Sequence, residues 1–210
     1  MPHHVAILLL AAGGSSRFGS PKQLIPYSGK TLLRHLAESA TRSKASQTYV
    51  VLGATPEKIR PTLDGLSVQI VRNKQWQEGI SSSIHAGMSA LPKETDAVLI
   101  MLCDQPLVTS ELLDRIIEVQ SMSRKPIVAS EYADTIGVPA LFTKPLFPEL
   151  LTLVGDHGAK QLIRDHPKDI AIVPFPGGAI DIDSPDDMKD LSKPAASSSP
   201  TPNRRSPKSS

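Results

Sequence analysis

"VAILLLAAGGSSRFGSPKQL", residues 5–24, decides the fold. Apolar residues run without a polar break from Val5 and stop at Ala11, Ala12, Gly13 and Gly14. A strand that is apolar on both faces belongs inside a sheet covered on both sides. A loop that follows such a strand stands where parallel sheets collect ligands, beyond the carboxyl ends of their strands. Gly13 and Gly14 let the backbone turn and come close to a ligand, while Arg17 and Lys22 supply positive charge, so an anion is the expected ligand.

Two common phosphate-binding patterns do not fit. The dinucleotide pattern G-x-G-x-x-G fails because Ser15 stands at the second glycine, and no ribose-binding acid follows the next strand in "VVLGATPEK". A P-loop fails because Ser20 and Pro21 separate Gly19 from Lys22. What remains is a long loop whose lysine follows a proline at its far end. The alternative is a plain strand-to-helix turn with both cations solvated. The density of Gly-Gly, Ser-Ser, Arg, Gly and Pro-Lys-Gln after an apolar strand argues against turning alone.

Outward from this stretch, "TYVVLG", "VQIVRN", "AVLIMLC" and "PIVAS" read as further strands. Helices are predicted near 31–42, 80–91 and 110–122, the second from Ile80, Ile84, Met88 and Leu91 and the third from Leu112, Leu113, Ile116, Ile117 and Val119. Such alternation predicts a three-layer α/β/α Rossmann-like domain around a mostly parallel sheet. After about residue 130 the alternation loosens, and "GVPALF", "GDHGAKQLI" and "IAIVPF" suggest short strands and capped helices.

The 210 residues, 40% hydrophobic, suffice for one well-packed domain, expected over 1–192. Residues 193–210 are Ser/Pro-rich and basic, a composition expected to stay disordered. Of the 23 Lys and Arg, four (Lys193, Arg204, Arg205 and Lys208) lie in that tail, which has no acid; the remainder carries 19 cations against 21 acids. That balance argues against a nucleic-acid-binding face. The single Cys103 excludes an internal disulfide and a cysteine metal cluster. The N-terminal apolar run is too short for a signal peptide and nothing approaches a membrane span, so the expected setting is cytoplasmic, with no membrane partner.

"DAVLIMLCDQPLVTSELLDRI" repeats the design of the opening stretch, an apolar strand ending at Asp104 with a helix beginning after Thr109 or Ser110. A carboxylate there suits Mg²⁺, which takes one or two carboxylates and completes its shell with phosphate oxygens and water. A turn-forming Asp before Gln-Pro is the alternative. In "GGAIDIDSPDDM", Asp181 and Asp183 share one face of a strand; Asp183 is the second metal candidate, with helix capping as its alternative.

In that order, "LAAGGSSRFGSPKQL", "CDQP" and "DIDSPDD" resemble the MobA-like nucleotidyltransferases, which include molybdenum cofactor cytidylyltransferases and guanylyltransferases, methylerythritol-phosphate cytidylyltransferases and sugar-nucleotide pyrophosphorylases. The resemblance covers roughly residues 5–192. "WQEGISSSIHAG", "GVPALF" and "GDHGAKQLI" are similar to the molybdenum cofactor cytidylyltransferase branch, and Ala11-Ala12-Gly13 with Phe18-Gly19 differs from the guanylyltransferase pattern.

The resemblance implies a glycosyltransferase-A-like fold and transfer of CMP from CTP to the phosphate of molybdopterin or molybdenum cofactor, with release of pyrophosphate. It implies that Leu10, Ala11, Ala12, Gly13, Gly14 and Ser15 surround the nucleotide and that Arg17 and Lys22 contact its phosphates. Asp104 and Asp183, or Asp181 should the register differ by two, would hold Mg²⁺. Ser81, Ser82 and Ser83 match a segment near base and ribose, though helix-start serines look the same. Gly137, Pro139 and His157 are the acceptor-side candidates, with a bent core strand as the alternative for "GVPALF". Asp156 reads as a helix cap, Trp76 as a packing anchor for its loop and Cys103 as a core thiol. The other superfamily reactions remain open, namely guanylyl transfer and cytidylyl transfer to another small phosphate. A rival from another class is a carrier or chaperone that delivers cofactor to a molybdenum hydroxylase apoenzyme in transient contact, with the basic tail as the candidate docking segment. A dinucleotide-binding oxidoreductase fails on the missing fingerprint.

Overall fold

The computed structural model describes residues 4–14 and 21–180. Ser15, Arg17, Asp181, Asp183 and the tail 193–210 lie outside the described residues.

The chain runs β1 (Val5–Ala11), β2 (Pro26–Tyr27), β3 (Lys30–Thr31), α1 (Leu32–Arg42), β4 (Gln47–Leu52), α2 (Pro56–Ile59), β5 (Gln69–Arg72), α3 (Ile80–Ser89), β6 (Ala97–Leu102), α4 (Ser110–Ser123), β7 (Ile127–Tyr132), β8 (Thr135–Thr143), α5 (Phe147–Leu150), α6 (Ala159–Asp165) and β9 (Ile170–Pro174). Seven strands form one sheet in the order β5-β4-β1-β6-β8-β7-β9. Six point the same way; β8 runs antiparallel to both of its neighbours. The remaining pair, β2 and β3, is a small separate ribbon.

Every residue of β1 is buried, as its unbroken apolar run requires. Its alternating side chains feed two cores. Val5, Ile7, Leu9 and Ala11 pack with α1, α2 and α4, through Leu33, Leu36, Ile59, Leu113 and Ile116. Ala6, Leu8 and Leu10 pack with α3, α5 and α6, through Ile84, Met88, Leu150, Leu162 and Ile163. Each large aliphatic side chain buried this way contributes about 2 kcal/mol, which is why the two-faced pattern fixes a three-layer sandwich. The helices begin where their caps permit: Thr31 Oγ1 accepts from the Arg34 N–H and Thr109 Oγ1 from the Leu112 N–H. Helix α3 stops at Ser89, two residues short of the spacing-based expectation, because Ala90 and Leu91 close the last turn onto Gly87 and Met88.

The looser region after residue 130 is a hairpin. Ala133 and Asp134 both have positive φ, 46° and 55°, the conformation of a two-residue turn that matches strand twist. "GVPALF" is the core of β8, where the register against β7 shifts: Ala129 faces Ala140 but Ser130 faces Gly137. Val138 and Pro139 fill the extra length, and the Ser130 hydroxyl donates to the Pro139 carbonyl at 2.7 Å. Gly137 and Pro139 are thus buried in a bent core strand, and they stand at its start. Because β8 is reversed, that start lies at the same sheet edge as the carboxyl ends of β1, β4 and β6.

Candidate active site

Chain order places β4 and β5 on one side of β1 and then returns to lay β6 on the other. The carboxyl-end crevice between β1 and β6 is therefore the place where connections diverge and ligands gather. A cleft of about 400 Å³ opens there. Leu10, Ala11, Ala12, Gly13 and Gly14 line it from the end of β1, and Cys103 and Asp104 line it from the end of β6. Lys22 comes back from the far side of the first loop.

Lys22 Nζ lies 3.1 Å from Asp104 Oδ2, with the side chains 20% and 25% exposed. The other carboxylate oxygen, Asp104 Oδ1, is buried and has no hydrogen-bond donor among the described residues. A buried carboxylate oxygen without a hydrogen bond is unfavourable unless something answers it, and a hard divalent cation is the partner that carboxylate oxygen suits. The chemistry of Asp104 thus fits a metal. Among the described residues no cluster of three or more metal-ligating side chains forms; the candidates for a second carboxylate, Asp183 and Asp181, lie outside them, as do Ser15 and Arg17.

Gln23 is 1% exposed, and its amide nitrogen donates to the Ala11 carbonyl at 2.7 Å and the Gly13 carbonyl at 3.0 Å. A side chain from the end of the loop thereby fixes the backbone at its beginning. The sequence pointed to Pro21-Lys22 and passed over this glutamine. Its signal was faint, a polar residue between a charged group and an apolar one.

The opposite wall comes from "NKQWQEGISSS". Gly79 has φ 97° and ψ 179°, a conformation open to glycine alone, and a Cβ on it would fall 2.3 Å from the Gly155 carbonyl group. The Ser81 N–H and hydroxyl both donate to that same carbonyl, at 3.1 and 2.9 Å. These contacts hold segment 154–157 against the start of α3 and bring Asp156 to the cleft. Asp156 does not cap α6 as its position suggested. The N-cap is Gly158, without a side-chain bond, because the turn at Gly155 carries Asp156 toward the cleft instead. His157 is exposed and outside the cleft lining.

The three serines are buried, and none caps the helix in the ordinary sense. Ser83 lines the cleft, whereas Ser81 and Ser82 border a neighbouring hollow. Asn73, 3% exposed just after β5, donates to Ser82 Oγ at 2.8 Å and Ser83 Oγ at 3.0 Å. It was not among the residues singled out from the sequence. Trp76 is half-buried and packs on Gly14 and Gly53; a Cβ at either glycine would meet its side chain at 2.9 or 2.5 Å. It is the expected packing anchor, and it also forms part of the cleft wall. Burial pushes the Cys103 thiol well above its ordinary pKa, helped by the adjacent Asp104 charge, so it stays protonated and inert.

Gln105 links the cleft to the second half of the sheet. It is 2% exposed and its amide donates to the Val138 carbonyl at 3.1 Å, between Gly137 and Pro139. Neither Gly137 nor Pro139 lines the cleft itself. Among the described residues no helix is long and apolar enough to cross a membrane.

Residues 7–170 match the MobA-like NTP transferase domain. Nicotine blue oxidoreductase of Paenarthrobacter nicotinovorans is 30% identical over 167 residues, which cover 76% of this chain and 81% of that protein. The crystal structure of Rv0371c from Mycobacterium tuberculosis H37Rv is similar with a TM-score of 0.80 and 29% identity, covering 91% of this chain and 98% of that one. A second crystal structure of Rv0371c, a complex with manganese, gives a TM-score of 0.73 over 90% of this chain and 97% of that one, at 29% identity.

Proposed function

The chain belongs to the MobA-like NTP transferase family, and from that premise we propose that it moves CMP from CTP to the phosphate of molybdopterin or the molybdenum-loaded cofactor. The observation that carries this reading is the pairing of Lys22 with Asp104 across the crevice between β1 and β6, with Asp104 Oδ1 buried and without a donor among the described residues. A cation and a carboxylate so arranged suit a triphosphate and its metal.

In the reaction a phosphate oxygen of the acceptor forms a bond to the α-phosphorus of CTP. The bond from that phosphorus to the bridging oxygen breaks, and its electron pair leaves with pyrophosphate. No side-chain nucleophile is needed, so the protein's contribution is positioning and charge neutralisation. Lys22 and Arg17 neutralise phosphate charge. Ala11 to Gly14, braced by Gln23, form the backbone on which the nucleotide lies, and Ser83 stands on the opposite wall. Asp104, with Asp183 or Asp181, would hold Mg²⁺, which when bound supplies further neutralisation of the phosphates. The manganese complex of Rv0371c supports a divalent ion in this fold. Gly137, Pro139 and His157 are the acceptor-side residues of the proposal; the bond from Gln105 to the Val138 carbonyl supports a connection between that side and Asp104.

Choice of CTP and of a pterin phosphate rests on "WQEGISSSIHAG", "GVPALF" and "GDHGAKQLI", which are similar to the cytidylyltransferase branch. Delivery of the product implies transient contact with a molybdenum hydroxylase apoenzyme in the cytoplasm. The name of the Paenarthrobacter relative raises an oxidoreductase reading. The absent dinucleotide fingerprint speaks against it, and the same assay tests it. Purified protein is incubated with molybdopterin, Mg²⁺ and each of CTP, GTP, ATP and UTP while pyrophosphate is followed, with Asp104→Asn as control. Release with CTP alone, abolished in the control, is the expected result. Release with GTP alone would redirect the proposal to guanylyl transfer. Silence with all four, together with binding of NADH, would replace it with the oxidoreductase.

A further inference from the structure

A buried asparagine with both amide hydrogens committed dictates what its partners can do with theirs. The Gln75 backbone N–H donates to Asn73 Oδ1 at 2.9 Å, which establishes which end of this amide is oxygen. The other end, Nδ2, carries two hydrogens, and there are two acceptors within reach, Ser82 Oγ and Ser83 Oγ. Both serine oxygens therefore accept from Asn73, and each must send its own hydrogen elsewhere. Ser82 donates to the Gly79 carbonyl at 2.8 Å. The Ser83 hydroxyl hydrogen has no acceptor among the described residues, and Ser83 is the serine that lines the cleft.

We propose that Asn73 is a positioning residue that fixes Ser83 as a hydrogen-bond donor to the cleft, so that Ser83 recognises an acceptor atom of the bound nucleoside triphosphate. The inference rests on the reading of the cleft as a nucleotide site and adds the polarity of one of its contacts. A serine left to itself rotates to donate or to accept as the ligand demands. Held by Asn73, this one keeps a second lone pair, but a ligand that offers it only a donor would leave the Ser83 hydrogen without an acceptor, so a ligand acceptor atom is preferred. The device sits on a rigid base: the Asn73 N–H is itself tied to the Leu52 carbonyl at 2.7 Å, at the end of β4.

The test reverses the polarity without changing the shape. In Asn73→Asp the carboxylate still accepts from the Gln75 N–H, but it also accepts from Ser83, whose oxygen then turns an acceptor toward the cleft. CTP affinity in Mg²⁺ buffer, measured by calorimetry, is expected to weaken about tenfold, the effect of one hydrogen bond lost and its polarity opposed. Ser83→Ala should weaken it about fivefold, and Ser83→Thr, which keeps the hydroxyl, should stay close to wild type. Asn73→Ala frees the hydroxyl rather than reversing it, and a loss of about two- to threefold is expected. The deciding variant is Asn73→Asp combined with Ser83→Ala. If Asn73 acts through Ser83, the second change adds almost nothing; a further loss of about fivefold, the full effect of Ser83→Ala in the wild type, would mean that the new charge or misfolding acts independently of Ser83 and would overturn the inference. Ser83→Ala binding CTP like wild type would also overturn it. Wild type that binds none of CTP, GTP, ATP and UTP would instead bring down the nucleotide reading itself, and the inference with it.

Discussion

Gly79 and Gly155 meet backbone to backbone, so closely that a single methyl group on Gly79 would lie 2.3 Å from the Gly155 carbonyl. The two glycines are not equivalent. Gly155, with φ 58°, has open space where its Cβ would be, so alanine there meets only the modest cost of a left-handed residue, about 1 kcal/mol. Alanine at Gly79 meets both a forbidden conformation and a collision, at a cost of about 3 kcal/mol or more. Gly79→Ala is expected to lower Tm by roughly 10 °C and Gly155→Ala by a third of that, read by thermal melting. Equal shifts would show that the wall yields at no cost.

Lys22→Ala should lose turnover far more than stability. A cation aimed at transition-state charge is worth on the order of 3 kcal/mol, a hundredfold or more in kcat. A partly exposed ion pair contributes about 1 kcal/mol or less to folding. Asp104→Asn preserves shape and is expected to abolish turnover while weakening Mn²⁺ binding, followed by electron paramagnetic resonance. Turnover retained with a lowered Tm would leave both residues with a purely structural role.

Cys103 is 5% exposed and its thiol is held protonated, so it should resist alkylation in the native protein. The chain has one cysteine, which makes the readout unambiguous. Reaction with a chromogenic disulfide at pH 8 is expected to be at least about a hundredfold slower than in denaturant. Rapid stoichiometric labelling under native conditions would show that the floor of the cleft opens.

His166 ties α5 to the turn before β9. Its Nε2 lies 2.8 Å from Glu149 Oε2, and Asp169 is 3.7 Å from Nδ1. The Glu149 hydrogen bond raises the imidazole pKa above its ordinary 6.5. The folded state thus holds the proton more tightly than the unfolded one. Its contribution is fully present below pH 6.5 and is lost as the pH rises through the folded-state pKa. Glu149→Gln should therefore lower Tm at pH 5.5, by at most about 2–4 °C for so exposed a pair, and leave it unchanged at pH 9. A gap of the same size at both values would assign it to packing.

Much of this architecture is legible in the chain. The unbroken run of β1 announces a two-faced strand, and an aspartate that ends another such run is placed at the ligand edge by the topology alone. The buried amides are not legible. Gln23, Asn73 and Gln105 look like surface residues until the chain folds, because what distinguishes them is a set of backbone carbonyls and hydroxyls distant in sequence. Periodicity also carries no direction, so the reversal of β8 is invisible in "GVPALF". Asp156 stood where a cap belongs, and only the left-handed turn at Gly155 sends it to the cleft instead.

That reversal has a consequence for how such a protein diversifies. The two exposed residues at the β7–β8 tip, Ala133 and Asp134, stand at the cleft edge of the sheet, yet no strand pairing passes through them. Residues inserted at this tip lengthen a finger beside the site while the ladder behind it keeps its register. The half of the sheet built on β1 has no such freedom, since its loop is tied down at both ends. Added length is thus cheapest at the hairpin tip and costliest beside β1, where Gln23 holds the Ala11 and Gly13 carbonyls.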